Sequence, residues 1–142
     1  MTNQNITTAN STHKVWLIEH DPHVDTPWIE RCIFHKEYIV ALNAGEPIGF
    51  LRYSWFWGKI PYMDMIYVAP EHRSCGTGRR MLHHWEMLML SKGADVLMTS
   101  SVIDEPEPQA WHKSNGFQEQ GAISFANFQP KSEVFFIKSL SQ

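Results

Sequence analysis

Residues 65–82, MIYVAPEHRSCGTGRRML, constrain the fold of this chain more than any other stretch. Met65 to Val68 is an apolar run with the character of a strand, Ala69-Pro70 interrupts it, and the loop Arg73-Ser74-Cys75-Gly76-Thr77-Gly78 follows. Met81, Leu82, Trp85, Leu88 and Met89 then recur at helical spacing, predicting a helix from about Cys75 to Lys92 with Gly93 as its stop. A strand that passes through a glycine loop into a helix aims free backbone N–H groups and the positive end of the helix dipole at one spot. Gly76 and Gly78 keep Cβ atoms out of an anion's way, and Arg73, Arg79 and Arg80 add positive charge. The segment reads as a phosphate cradle, the alternative being glycines that serve only a tight turn. It is not a P-loop, since the chain has no Gly-Lys-Ser or Gly-Lys-Thr. A lone Gly-x-Gly late in the chain also falls short of a dinucleotide fingerprint.

The other elements follow from pattern and punctuation. The polar residues 1–12, MTNQNITTANST, are expected to be a disordered leader, and Lys14 to His20 (KVWLIEH) a first strand. Val24, Trp28, Ile29, Cys32 and Ile33 recur at helical spacing. Strands are expected at Tyr38–Leu42, Ile48–Trp57 and Tyr62–Val68, with turns at Asn43–Pro47 and Gly58–Pro61. Val96–Ser101 is another strand, and Pro106 and Pro108 suit the first turn of a helix that ends at Asn115-Gly116. Phe117–Ile123 and Val134–Leu140 close the chain as strands. The expected order is strand, helix, three strands, helix, strand, helix, two strands, which fits one mixed α/β layer structure in 142 residues.

Composition removes several function classes. The 12 Lys and Arg against 15 Asp and Glu argue against a general nucleic-acid binder, which needs excess positive charge. No apolar run approaches the roughly 18 residues of a membrane span. The two cysteines, Cys32 and Cys75, are too few for a disulfide scaffold and fit a reducing compartment, so a cytosolic location is expected. His20, His23 and Asp25 lie close together but lack a metal-ligand spacing, and no metal is expected.

Two motifs carry a family resemblance. Arg73-x-x-Gly76-x-Gly78 after Ile66-Tyr67-Val68-Ala69-Pro70 resembles the pyrophosphate signature of the GNAT superfamily of acyl-CoA N-acyltransferases. Downstream, Ala110-Trp111-His112-Lys113-Ser114-Asn115-Gly116-Phe117 resembles that family's late helix, usually written aromatic-Tyr-x-x-x-Gly-Phe. The resemblance covers about residues 14–140. It implies an N-acetyltransferase domain over residues 13–142, with a mostly antiparallel sheet flanked by helices and a splayed central strand pair forming an acyl-CoA cleft.

The same resemblance assigns residues. Backbone groups of Ile66, Tyr67 and Val68 would bind the pantetheine arm of acetyl-CoA, and amides of Ser74, Cys75, Gly76, Thr77, Gly78 and Arg79 the pyrophosphate, with Arg73 opening the loop. His112 stands where the family commonly has Tyr; it is a candidate acid, base or hydrogen-bond donor to the CoA sulfur, or a histidine with no catalytic duty. Asp64 is the candidate base and acceptor contact, the alternative being a partnered structural carboxylate. Glu105 replaces an Asn that relatives use near the cofactor. Asp104, Glu105 and Glu107 suit the start of a helix electrostatically, or would draw in a cationic amine. Tyr53, Trp55 and Trp57 alternate along one strand face, as core or as an acceptor wall to which Trp28 could add.

The expected reaction moves acetyl from acetyl-CoA to a primary amine, first of a small molecule and second of a protein N-terminus or lysine. A non-catalytic acyl-CoA-binding module is the rival, and a homodimer follows family habit.

Overall fold

The computed structural model describes residues 4–140. In chain order the elements are β1 (Gln4–Thr8), α1 (Lys14–His20), α2 (Thr26–Phe34), β2 (Tyr38–Asn43), β3 (Glu46–Phe56), β4 (Ile60–Val68), α3 (Thr77–Ser91), β5 (Val96–Val102), α4 (Pro106–Ser114), β6 (Gln118–Ile123) and β7 (Glu133–Ser139). The strands form one seven-stranded sheet in the order β1-β2-β3-β4-β5-β7-β6. The pairings β1–β2, β2–β3, β5–β7 and β6–β7 are antiparallel, whereas β4 and β5 run parallel and pair Tyr62 with Met98 and Met63 with Thr99. This is the mixed, mostly antiparallel α/β architecture expected.

Two expectations near the N-terminus are corrected. Gln4–Thr8 is not a leader but strand β1, paired along its length from Gln4↔Asn43 to Thr8↔Ile39; its β-branched Ile6-Thr7-Thr8 suits a strand. Residues 1–3 of the expected leader lie outside the described residues. Lys14–His20 is a helix, not a strand. The alternation of Val15, Leu17 and Glu19 imitates a strand, and so short an apolar run cannot be told apart by period. The preceding residues decide it. The Asn10 side chain accepts from Thr12 N–H at 2.9 Å, and His13 Nδ1 accepts from Asn10 N–H at 3.1 Å, a reciprocal cap that starts a helix.

The described chain forms two compact units, one the chain up to Tyr53 with Met65–Met87, the other Ser54–Asp64 with the chain from Leu88. The first has a core of Leu17, Ile29, Cys32, Tyr38, Val40 and Phe50, against which Trp16, Met65 and Tyr67 pack. Within it Asp21, fully buried at the end of α1, accepts from Arg52 Nε at 2.7 Å and from Tyr38 Oη at 2.6 Å. Each buried polar group thereby finds a partner, which fixes the end of α1 to β2 and β3. In the second unit Leu97, Phe117, Val134 and Phe136 are buried. At the β3–β4 hairpin, Trp57 (φ 59°) and Gly58 (φ 68°) form the two-residue turn, so Trp57 leaves the strand face expected for it and is 77% exposed.

Candidate active site

The cradle forms as its sequence dictates. A 3-10 turn at Pro70–His72 leads from β4 into the loop, where Ser74 (φ 65°) and Gly76 (φ 87°) both adopt left-handed backbone before α3 begins at Thr77. Among the described residues, the backbone N–H groups of Ser74, Cys75, Gly76, Thr77, Gly78 and Arg79 meet no backbone acceptor. The Thr77 amide meets the Cys75 sulfur; donors at a helix start without a partner of their own call for water or an anion. Arg73 Nε donates to Val68 O at 2.7 Å, which ties the start of the loop to the end of β4. Arg80 folds back, donating to Cys75 O at 3.3 Å and to Gln4 Oε1, and Thr77 Oγ1 donates to the same Gln4 oxygen at 3.1 Å. The exposed Cys75 thiol donates to His72 O at 2.8 Å; its pKa is lowered, chiefly by hydrogen bonding with the Thr77 side chain 3.5 Å away.

Beside the loop, Tyr67 of β4 is half-buried. Its ring lies 5.6 Å from Phe50, 5.9 Å from His20 and 6.3 Å from Trp16, with the Arg73 guanidinium 5.8 Å over it. A close strand approach accompanies this. A Cβ at Gly49 of β3 would stand 2.7 Å from Tyr67 O, and Ala69 N–H donates to Ile48 O at 2.8 Å.

In the other unit, Asp64 is half-buried and accepts from Ser54 Oγ at 3.0 Å. His112 on α4 is 5% exposed, with its ring 5.3 Å from Phe136, 5.9 Å from Trp111 and 6.0 Å from Phe117. Burial pushes its pKa down to about 4, against the opposing pull of a backbone hydrogen bond to Ser100. Its Nδ1 has no hydrogen-bond partner among the described residues. The imidazole is therefore neutral at pH 7.

The sequence profile of the acetyltransferase (GNAT) family matches residues 6–117. The chain belongs to that family. Ard1 from Thermoplasma volcanium superposes with a TM-score of 0.86 at 12% identity, over 99% of each chain. Ribosomal-protein-alanine N-acetyltransferase from Brucella melitensis gives 0.81 at 20% identity, over 96% of this chain and 99% of that one. The Salmonella typhimurium protein yncA, solved with its cofactor acetyl-CoA, gives 0.78 at 18% identity, over 99% and 95%. A comparison with curated protein sequences finds no significant match.

Against this GNAT frame the expected site residues divide. Arg73, Ser74, Cys75, Gly76, Thr77, Gly78 and Arg79 form one loop, with Ile66, Tyr67 and Val68 on the strand that feeds it. Tyr53 is corrected: it is 2% exposed, packs 5.7 Å from Trp85, and donates its hydroxyl to Lys36 O at 3.0 Å, which makes it core rather than acceptor wall. Burial pushes its pKa up to about 12. Trp55 is half-buried, and Trp28 is 40% exposed with Arg31 stacked 4.6 Å above it. Glu105 is exposed and its side chain makes no cap to α4.

Three contributions escaped the sequence reading. Gln4 reaches the cradle through β1, whose polar β-branched run was the available signal. Gly49 admits the backbone of β4. Glu133 of β7 brings a carboxylate to Ser100 of β5 at 2.6 Å, and Ser100 Oγ in turn lies 2.5 Å from Tyr62 Oη. The stretch 98–101 has no acid of its own, and only strand pairing supplies one. Among the described residues no cluster suits a metal ion and no helix is long and apolar enough to cross a membrane.

Proposed function

We propose that this protein transfers an acetyl group from acetyl-CoA to a primary amine, with small-molecule amines the first acceptor class. The row of amides from Ser74 to Arg79, none of which meets a backbone acceptor among the described residues, carries the reading. Their number, the left-handed Ser74 and Gly76, and the flanking arginines suit a pyrophosphate, which needs several donors converging on adjacent oxygens. Bound there, acetyl-CoA supplies a thioester whose carbonyl carbon is open to an amine. The main chain of Ile66, Tyr67 and Val68 would hold the pantetheine arm, and a strand N–H near Val68 would steady the oxyanion.

Asp64 and His112 are the side chains that the family resemblance offers for proton movement. A buried neutral imidazole is a poor proton source, and its one N–H is engaged by the Ser100 backbone, so donation from His112 to the departing sulfur would require that bond to be given up. Trp28, Trp55 and Asp64 would be the acceptor contacts in this reading, and Glu105 would lie with the cofactor. One of the structural neighbours, the Brucella melitensis enzyme, is named for a protein substrate, and at 20% identity it supports the fold and leaves the acceptor to experiment.

The test is release of CoA thiol from acetyl-CoA across a panel of small primary amines, peptides with free N-termini and lysine peptides, with mass detection of the product. Thiol release matched by one added acetyl group on a small amine is the expected result. Acetylation confined to peptides moves the acceptor class to proteins. Tight acetyl-CoA binding with no thiol release for any amine makes the protein an acyl-CoA-binding module and overturns the reading.

A further inference from the structure

His20, the last residue of α1, is held as a base would be held. Its Nδ1 lies 2.9 Å from Trp16 O one helical turn earlier. A carbonyl can only accept, so Nδ1 carries the proton, and the neutral ring presents a lone pair at Nε2. Nε2 has no hydrogen-bond partner among the described residues. The ring stacks on Trp16, with centroids 4.3 Å apart and planes 19° apart, which fixes its orientation. The side chain is 28% exposed, enough to pass a proton to water. Glu19 Oε1 lies 3.7 Å from Nδ1. The Tyr67 ring, in the strand segment that would carry the thioester, lies 5.9 Å from the His20 ring and 6.3 Å from Trp16.

Resting on the acetyl-transfer reading above, we infer that His20 is the general base that takes the proton of the acceptor amine. Nε2 accepts one proton from the ammonium. The freed nitrogen forms a bond to the acetyl carbonyl carbon, the carbon–sulfur bond breaks, and the second nitrogen-borne proton ends on the CoA thiolate. The imidazolium then returns its proton to solvent, and the net products are the amide, CoA thiol and one proton. The Trp16 carbonyl and indole face both stabilise the transient cation, one by hydrogen bond and one by its π face. An imidazole is intrinsically a stronger base than a carboxylate, and the Asp64 carboxylate already accepts from Ser54.

The test compares His20→Asn, whose side-chain amide can keep the bond to Trp16 O, with His20→Ala and wild type on an amine that wild type acetylates. Both variants should lose about 10²-fold in kcat, with acetyl-CoA affinity unchanged, and millimolar imidazole should restore much of the His20→Ala rate. An H20N rate within about threefold of wild type, or a loss in H20A that imidazole leaves untouched, overturns the assignment. Wild type that binds acetyl-CoA but acetylates no amine overturns the transfer reading instead, and that outcome needs no variant to see.

Discussion

Gly76 is where backbone freedom and anion binding coincide. Its φ of 87° lies in the left-handed region, and a Cβ there would stand 3.2 Å from Arg80 Nη1. A β-branched side chain at such a φ costs roughly 1–2 kcal/mol in the folded state and also projects beside the loop amides. Gly76→Val should therefore weaken acetyl-CoA binding by about tenfold or more, as read by titration calorimetry. Gly45 in the β2–β3 turn supplies the control, since its φ is 84° and nothing lies within 4 Å of its Cβ position. Gly45→Val should bring a similar loss of stability with acetyl-CoA affinity intact. Equal affinities for the two variants would remove the pyrophosphate from this loop. The same distinction separates the two cysteines. Cys32 is a buried core thiol pushed up to about 11 by desolvation, whereas Cys75 is exposed beside the cradle.

At the scale of elements, the approach of β3 to β4 is held open by one missing side chain. An added Cβ at Gly49 meets backbone, Tyr67 O at 2.7 Å and Val68 Cα at 3.5 Å, and neither atom can swing aside. Gly49→Ala should cost about 1–3 kcal/mol in urea denaturation, the usual cost of overpacking, and lower acetyl-CoA affinity by displacing the end of β4. An alanine variant with wild-type stability would mean that the strands yield there, against this account. Gly49 also marks what could be read beforehand. The loop and the helix after it were legible because glycines, arginines and a helical period are local. Tyr62–Val68 and Val96–Ser101 were legible as strands for the same reason, to within two residues of β4 and one of β5. The requirement at Gly49 was not legible, because it arises from a neighbouring strand 18 residues away at Tyr67. Lys14–His20 misled because a single buried Leu17 between Val15 and Glu19 satisfies either period, and the cap at Asn10–His13 that settles it lies outside the apolar run. Glu133 beside Ser100 is likewise a product of strand order alone.

For the molecule as a whole, the charge balance of −3 says little about where charge matters, and the buried histidines say more about its response to acid. His112 is pushed from 6.5 down to about 4 by burial, and His13 and His84 are lowered for the same reason. A depressed folded pKa means that the unfolded chain takes up protons first as pH falls. Stability is thus at its full value above about pH 6.5 and is lost progressively as the pH drops toward 4, where the folded His112 protonates too. A displacement of that size corresponds to about 2–3 kcal/mol from His112 alone by pH 4.5, the histidine being nearly inaccessible to solvent. Replacement by Phe keeps a ring among Trp111, Phe117 and Phe136 and removes the titration, though it also gives up the hydrogen bond to Ser100. Urea midpoints of wild type should fall between pH 7 and pH 4.5 by clearly more than those of His112→Phe, whatever the variant's stability at pH 7. If the two proteins lose the same stability across that window, the acid response belongs to other groups, and the ring of His112 is solvated in solution.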